Sequence, residues 1–221
     1  MRFEHVIFDL DGTLLDTEPV YTWATRKVLE PFGKDYSWEL KQQMMGRDGH
    51  ESACILIKAL EIDLSPEVYL ARREPLVEQA SRTAPEIAGA ADFLRALSDL
   101  GLPLALATSS ARRLCAIKLS GRPWSSLFRA VVCGDDPTVA RPKPAPDIFL
   151  EAARRLGANP ATTLVFEDSP AGVAAAAAAG MAVVAIADAR TDRSKLAPAI
   201  QVVADFGGLD PVALVAADAP C

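Results

Sequence analysis

The sequence predicts a three-layer α/β fold, a parallel sheet covered by helices on both faces, with an all-helical unit inserted after the first strand. Two observations carry this. From Pro85 onward, short apolar runs alternate with helical periodicity, the mark of a buried parallel sheet. Residues 17–84 show helical periodicity alone, with no convincing strand. The chain has 221 residues, 50% of them hydrophobic, enough for a sizeable core. The expected division is a core of residues 1–16 and 85–221 and a helical unit of 17–84.

In chain order, residues 3–8 read as a short buried strand. Helices are expected near 19–31, 37–45, 49–61 and 66–82, separated by turn signals at 31–33, Gly46 and 64–66. Ser65 before Pro66 reads as an N-cap followed by a first-turn proline. A helix at 88–100 ends at Gly101 and a strand follows at 102–107. A helix at 110–120, a strand at 129–133 and a helix at 146–156 come next. The series closes with a strand at 163–166, a helix at 170–179, strands at 181–186 and 200–203, and a helix after Gly208. The alanine run 174–179 suits a helix lying close against a sheet, where side chains must be small.

Composition narrows the function classes. The net charge of −6, with no Lys/Arg stripe, argues against nucleic acid. No uninterrupted apolar run approaches the roughly 20 residues of a membrane helix, and the first residues lack signal-peptide architecture. Cys54, Cys115, Cys133 and Cys221 form no C-x-x-C pair and read as reduced thiols, so a cytoplasmic location is expected. His5 and His50 are the only histidines, which points any metal toward a hard, oxygen-ligated ion.

Four polar clusters fall where predicted strands end, the edge at which open parallel sheets bind ligands. The first is Asp9-Leu10-Asp11-Gly12-Thr13. Residues i and i+2 of a strand share a side, so Asp9 and Asp11 emerge close together, a costly pair unless a cation or shared proton relieves it. The others are Thr108-Ser109-Ser110, Lys143 among prolines, and Glu167-Asp168-Ser169. Each has a structural reading when taken alone. The first is an Asp-Gly turn, the second an N-cap, the third a solvated loop charge, the fourth a helix start with first-turn acids. Together they assemble a different inventory. Asp9, Glu167 and Asp168 would recruit a divalent cation, for which carboxylate-rich, imidazole-free ligation favours Mg²⁺. Lys143, the Thr108 hydroxyl and backbone N–H groups at a helix start would hold a phosphate dianion. A carboxylate nucleophile, a cation, a lysine and a hydroxyl make a phosphoryl-transfer centre.

Through these four motifs and most of its length, the chain resembles the haloacid dehalogenase superfamily of aspartate-nucleophile phosphatases. The helical block 17–84 resembles that family's cap, inserted into a Rossmann-like core. Asp11-Gly12-Thr13-Leu14-Leu15-Asp16-Thr17-Glu18, Tyr36-Ser37-Trp38 with Met45-Gly46-Arg47, Gly134-Asp135-Asp136 and 144–149 are similar to the branch with pseudouridine-5′-phosphatase and glycerol-phosphatase-like enzymes. The resemblance implies that Asp9 attacks phosphorus to form an aspartyl-phosphate, while Asp11 protonates the leaving oxygen and then deprotonates water. It implies Mg²⁺ held by Asp9, the Asp11 backbone carbonyl and Asp168, with Glu167 direct or through water. Thr108, the Ser109 backbone and Lys143 would stabilise the phosphoryl oxygens, and Gly12 would turn the chain tightly beside them. Asp11 must begin neutral, which burial and neighbouring anions would favour.

The implied substrate is a small phosphorylated metabolite, a sugar phosphate or a nucleoside 5′-phosphate such as pseudouridine 5′-phosphate, chosen by the cap of a monomer or weak homodimer. Arg47 and His50 lie on or beside the expected specificity loop around Gly46 and are candidate substrate contacts, or else ordinary solvated side chains. Tyr21, Trp23 and Trp38 could line an apolar wall or serve as core. Asp16 sits where a helix N-cap is wanted. Pro142 departs from the glycine usual in relatives and removes an N–H beside Lys143. A β-phosphoglucomutase-like transferase is the alternative, disfavoured because Tyr21 stands where those enzymes carry histidine. A non-catalytic phosphate-binding module is weakened by the full set of catalytic side chains. A dehalogenase is disfavoured by Asp11, an acid that branch lacks.

Overall fold

The computed structural model describes residues 3–44, 49–187 and 191–216. Along the chain run β1 (His5–Phe8), α1 (Glu18–Leu29), α2 (Trp38–Met44), α3 (Gly49–Leu60), α4 (Pro66–Ser81), α5 (Ala90–Asp99), β2 (Leu104–Thr108) and α6 (Arg112–Leu119). Then come β3 (Phe128–Cys133), α7 (Asp147–Leu156), β4 (Thr163–Glu167), α8 (Pro170–Ala178), β5 (Ala182–Ile186), β6 (Gln201–Val203) and α9 (Pro211–Ala216). The chain divides into two compact units, one of residues up to Asp16 and from Pro85 on, the other Thr17–Ala84.

The first unit is a six-stranded sheet in the order β3-β2-β1-β4-β5-β6. Every pairing is parallel. The strand order reverses at β1, so its C-terminal end faces the crevice where such sheets bind ligands. Side chains alternate cleanly between the two faces. Val6, Phe8, Leu106 and Phe166 face α5 and Phe206 on one side. Ile7, Ala105, Ala107 and Val165 face α7 and α8 on the other. Phe8 stacks on Phe166 with ring centroids 4.9 Å apart. Such a pair adds about 0.5–1.5 kcal/mol beyond its area burial. The expected close-packed alanine helix is α8, which buries Gly172, Val173, Ala175 and Ala176.

Three local expectations need correction. The second strand begins at Leu104 rather than Leu102, because Pro103 has no N–H to enter the ladder; its carbonyl still accepts from Val6 N at 3.1 Å. Thr108-Ser109-Ser110 does not cap α6. The helix starts at Arg112, whose N–H is satisfied by Asp135 Oδ1 at 2.9 Å from the loop after β3. Asp16 does not cap α1 either. The cap position is Thr17, without a side-chain cap bond, and Asp16 N donates to Pro85 O at 2.9 Å. Leu15 also bridges Glu86, so the two chain crossings are laced together on the sheet unit.

The loop after β3 is anchored by charge. Asp136 accepts from Thr138 Oγ1 at 2.7 Å, Arg155 Nη2 at 2.8 Å and Arg112 Nη2 at 3.0 Å. Arg155 also reaches Glu151 Oε1 at 2.7 Å, tying the loop to α7.

The second unit has its own core of Val28, Leu29, Tyr36, Leu40, Met44, Leu56 and Tyr69, with Thr25 Oγ1 3.1 Å from the Tyr69 hydroxyl. Ser65 caps α4 as expected, accepting from Val68 N at 3.3 Å. The three candidate wall aromatics have these surroundings. Trp23 is 38% exposed, Trp38 lies under Lys41 Nζ at 5.5 Å, and Tyr21 takes the Arg73 guanidinium at 6.0 Å.

The Thr138 hydroxyl, followed by Arg155, holds the Asp136 carboxyl down at about 2. A carboxyl depressed in the folded state stabilises above its unfolded value of about 4, and that gain is lost as pH falls toward 2. Asp136→Asn should therefore cost about 1–2 kcal/mol at pH 7 and progressively less below pH 4, read by urea unfolding of both proteins across that range.

Candidate active site

Sheet topology brings the four clusters together. Asp9 follows β1, Thr108 and Glu167 end β2 and β4, and Lys143 comes from the loop between β3 and α7. Asp9, Asp11, Ser109, Lys143, Glu167, Asp168 and Ser169 line one cavity of about 160 Å³. A water occupies about 30 Å³ of liquid, so the cavity has room for a phosphoryl-sized group with solvent.

Lys143 is the hub. Its ammonium is buried and donates to Asp9 Oδ1 at 2.6 Å, Glu167 Oε1 at 2.8 Å and Ala107 O at 3.2 Å. The solvated-loop reading of this lysine is overturned, since its side chain is only 6% exposed. Proline at 142 leaves the loop well held. Arg141 N and Nη2 bond Asp147 at 3.1 and 2.8 Å, and Ala145 N bonds Pro142 O at 2.9 Å. Despite desolvation, Asp9 and Glu167 push the Lys143 ammonium above its ordinary range.

Glu167 is fully committed to structure. Beyond Lys143, its Oε2 accepts from Asp168 N at 2.7 Å, Ser169 N at 2.6 Å and Ser169 Oγ at 3.0 Å. Its carboxylate lies over the start of α8, where a Cβ on Gly172 would run into it. The helix-start reading of this segment also holds, because Ser169 caps α8 through Gly172 N at 3.0 Å. Asp168 is oriented by Thr13 Oγ1 at 3.2 Å. Gly12 passes so close to the Asp168 carboxylate that a Cβ there would collide with it, and its φ of 82° is a left-handed conformation glycine adopts freely.

The residues fit a hard cation. Asp9, Glu167 and Asp168 each offer an oxygen within 4.8 Å of the others. Burial, with Glu167 and Asp11 alongside, raises the Asp9 carboxyl to about 7 even against Lys143. Burial, with Glu167, Asp9 and Asp11 alongside, raises Asp168 well above the usual carboxylate range. Buried carboxylates pushed toward neutrality are what a divalent cation would hold ionised. With both Glu167 oxygens engaged, Asp9 and Asp168 are the better donors.

Asp11 departs from expectation. Its carboxylate shares the cavity with Asp9 and Asp168, but it is 25% exposed and ion-paired through Oδ1 with the buried Lys118. Ser110 Oγ donates to Asp11 Oδ2 at 2.8 Å, and Thr108 Oγ1 lies 3.5 Å from the same oxygen. Thr108 is itself buried and accepts from Ser110 N at 3.1 Å, while Ser109 is exposed at the cavity mouth. Sequence reasoning missed Lys118 and gave Ser110 no role. The available signal was position: Lys118 stands three residues after Cys115, on the buried face of α6. Of the residues named outside the sheet unit, His50 is exposed and 3.2 Å from Glu67 Oε1, and Arg47 lies outside the described residues.

Comparison with known proteins decides the family. The model of the haloacid dehalogenase-like hydrolases matches residues 6–186. The chain belongs to this family. It is 43% identical over 214 residues to the "Probable pseudouridine-5′-phosphatase" of Drosophila melanogaster, covering 95% of this chain and 93% of that one. It is 41% identical over 213 residues to "(DL)-glycerol-3-phosphatase 1, mitochondrial" of Arabidopsis thaliana, covering 94% and 72%. A crystal structure from Thermotoga maritima, provisionally assigned as a β-phosphoglucomutase, superposes with a TM-score of 0.78 at 34% identity over 96% of each chain. Among the described residues, no helix of this hydrolase is long and apolar enough to cross a membrane.

A carboxyl raised in the folded state penalises folding as pH climbs from its unfolded value near 4 toward the folded one. Removing that charge relieves the penalty. In EDTA, Asp168→Asn should gain melting temperature relative to wild type as pH rises from 5 to 8. Added Mg²⁺ should raise the wild-type melting temperature and leave the variant nearly unmoved. Calorimetry at paired pH values checks both, and a variant that responds to Mg²⁺ as wild type does would remove Asp168 from the cation site.

Proposed function

We propose that this hydrolase is a Mg²⁺-dependent phosphomonoesterase acting on a small phosphorylated metabolite through an aspartyl-phosphate intermediate. The observation that carries the reading is the Asp9–Lys143–Glu167 ion-pair chain on the floor of a cavity ringed by Asp11, Asp168 and Ser109. Asp9 is a buried carboxylate with one oxygen held by Lys143, which orients the group for attack on phosphorus. In the first half-reaction an Asp9 oxygen forms a bond to phosphorus as the ester P–O bond breaks, and Asp11, which the neighbouring phosphate dianion favours in its protonated form against the pull of Lys118, gives its proton to the leaving oxygen. In the second, water attacks phosphorus, the Asp9–phosphorus bond breaks, and Asp11 takes the proton back. Lys143, Thr108 and the Ser109 backbone face the charge that builds on the phosphoryl oxygens. Mg²⁺ held by Asp9, Asp168 and the Asp11 carbonyl would, when bound, neutralise the carboxylates and the phosphoryl group.

Relatives named as phosphatases of pseudouridine 5′-phosphate and glycerol 3-phosphate make these the first esters to try. We place substrate choice in the helical unit Thr17–Ala84 and the reaction in the cytoplasm, where the free thiols of Cys54, Cys115 and Cys133 suit a reducing medium. Likeness to a provisional mutase keeps phosphate transfer between sugar hydroxyls as the second reading.

Inorganic phosphate release from these esters and from glucose 1-phosphate, with Mg²⁺ or EDTA, tests the proposal. Phosphate release that EDTA abolishes is expected. Isomerised sugar phosphate without phosphate release would establish the mutase reading instead, and silence on every ester would sink both. Asp9→Asn should reduce turnover to background with its fold intact by circular dichroism; robust steady-state activity in that variant would refute the nucleophile. Lys143→Met should lower turnover by about 10²–10³, the usual loss when one such donor is removed.

A further inference from the structure

Lys118 has no part in the reaction above, yet it is fully buried against the site. Burying an ammonium is costly unless charge and hydrogen bonds compensate, and a helix packed on a sheet needs no lysine on that face. Here the compensation is specific. Lys118 Nζ ion-pairs with Asp11 Oδ1 and lies 2.9 Å from Ser110 Oγ, which in turn donates to Asp11 Oδ2 at 2.8 Å. The three groups close a ring that grips both carboxylate oxygens. Further along the same helix end, Arg122 Nε donates to Lys118 O at 2.7 Å, so the lysine's own backbone is pinned. Asp11 borders the cavity at the start of a turn, and without this ring its short side chain would sample several rotamers.

We propose that Lys118 is a positioning residue for Asp11. It locks the carboxylate in the orientation from which a proton passes to the leaving oxygen and, in the second half-reaction, returns from water. The inference rests on the reading of Asp11 as acid and base.

Leaving-group dependence separates positioning of Asp11 from general support of the fold. A p-nitrophenolate leaves without protonation, whereas the alkoxide of glycerol 3-phosphate needs it. Lys118→Met should lower kcat/KM for glycerol 3-phosphate by about 10–100-fold, part of the 10²–10⁴ a general acid contributes. Its kcat/KM for p-nitrophenyl phosphate should stay within about 3-fold, and a pre-steady-state burst of p-nitrophenolate should appear as the water step slows. Lys118→Arg, which keeps the charge, should restore most of the ratio. Equal losses on both esters would overturn the proposal, as would an unchanged glycerol 3-phosphate rate. Should Lys118→Met not fold, Lys118→Gln carries the same test, and an unchanged ratio there overturns the proposal as well. Asp11→Asn is the reference. If Asp11→Asn shows no split between the esters, the acid–base reading of Asp11 falls and this inference with it. If Asp11→Asn splits them and Lys118→Met does not, only the role of Lys118 falls.

Discussion

Four carboxylates, Asp9, Asp11, Glu167 and Asp168, share one small cavity edge, and the rest of the core is arranged around making that tolerable. Neighbouring strands lie about 4.8 Å apart, so acids at the ends of β1 and β4 must meet. Two like charges at about 4 Å repel by about 4 kcal/mol at an effective dielectric near 20. Two buried ammonium groups answer this from opposite sides. Lys143 bridges Asp9 to Glu167, and Lys118 takes Asp11. The answer is incomplete, because Asp9 and Asp168 remain displaced toward protonation. That residual frustration is the physical basis for expecting a divalent cation there.

Delivery of the two lysines explains features that look unrelated along the chain. The loop carrying Lys143 is clamped by Arg141 on Asp147 and by the Asp136–Arg155–Glu151 chain. The helix carrying Lys118 starts where Asp135 satisfies its first N–H. The acidic pair Asp135-Asp136 therefore serves both lysines at one remove, without facing the cavity. Small residues do comparable work. Gly172 leaves space for the Glu167 carboxylate over α8, and Gly12 lets Asp168 approach the first turn. Such a site is held by rigid strands and packed helix ends, which suits chemistry that depends on orientation.

The parallel sheet was legible because its strands are short apolar runs bounded by glycine, proline and polar clusters. Every one of those runs found its place within a few residues. Two of the errors lie at helix starts. Asp16 and Thr108-Ser109-Ser110 have good capping chemistry, but the backbone directions that would use it are set elsewhere, by the Leu15–Glu86 bridge and by Asp135. Capping propensity is local, whereas the competition for each N–H is tertiary.

By itself the sequence determined the α/β class, the helical stretch after the first strand, and the four polar clusters at strand ends, because apolar periodicity and residue chemistry are written in one dimension. Only the tertiary structure decided how the charges are partnered. Lys143 could have been solvated, and nothing local to Lys118 tells that it meets Asp11 from 107 residues away. The pairing of two buried ions depends on distance and desolvation, and both come into existence only when the strands lie side by side.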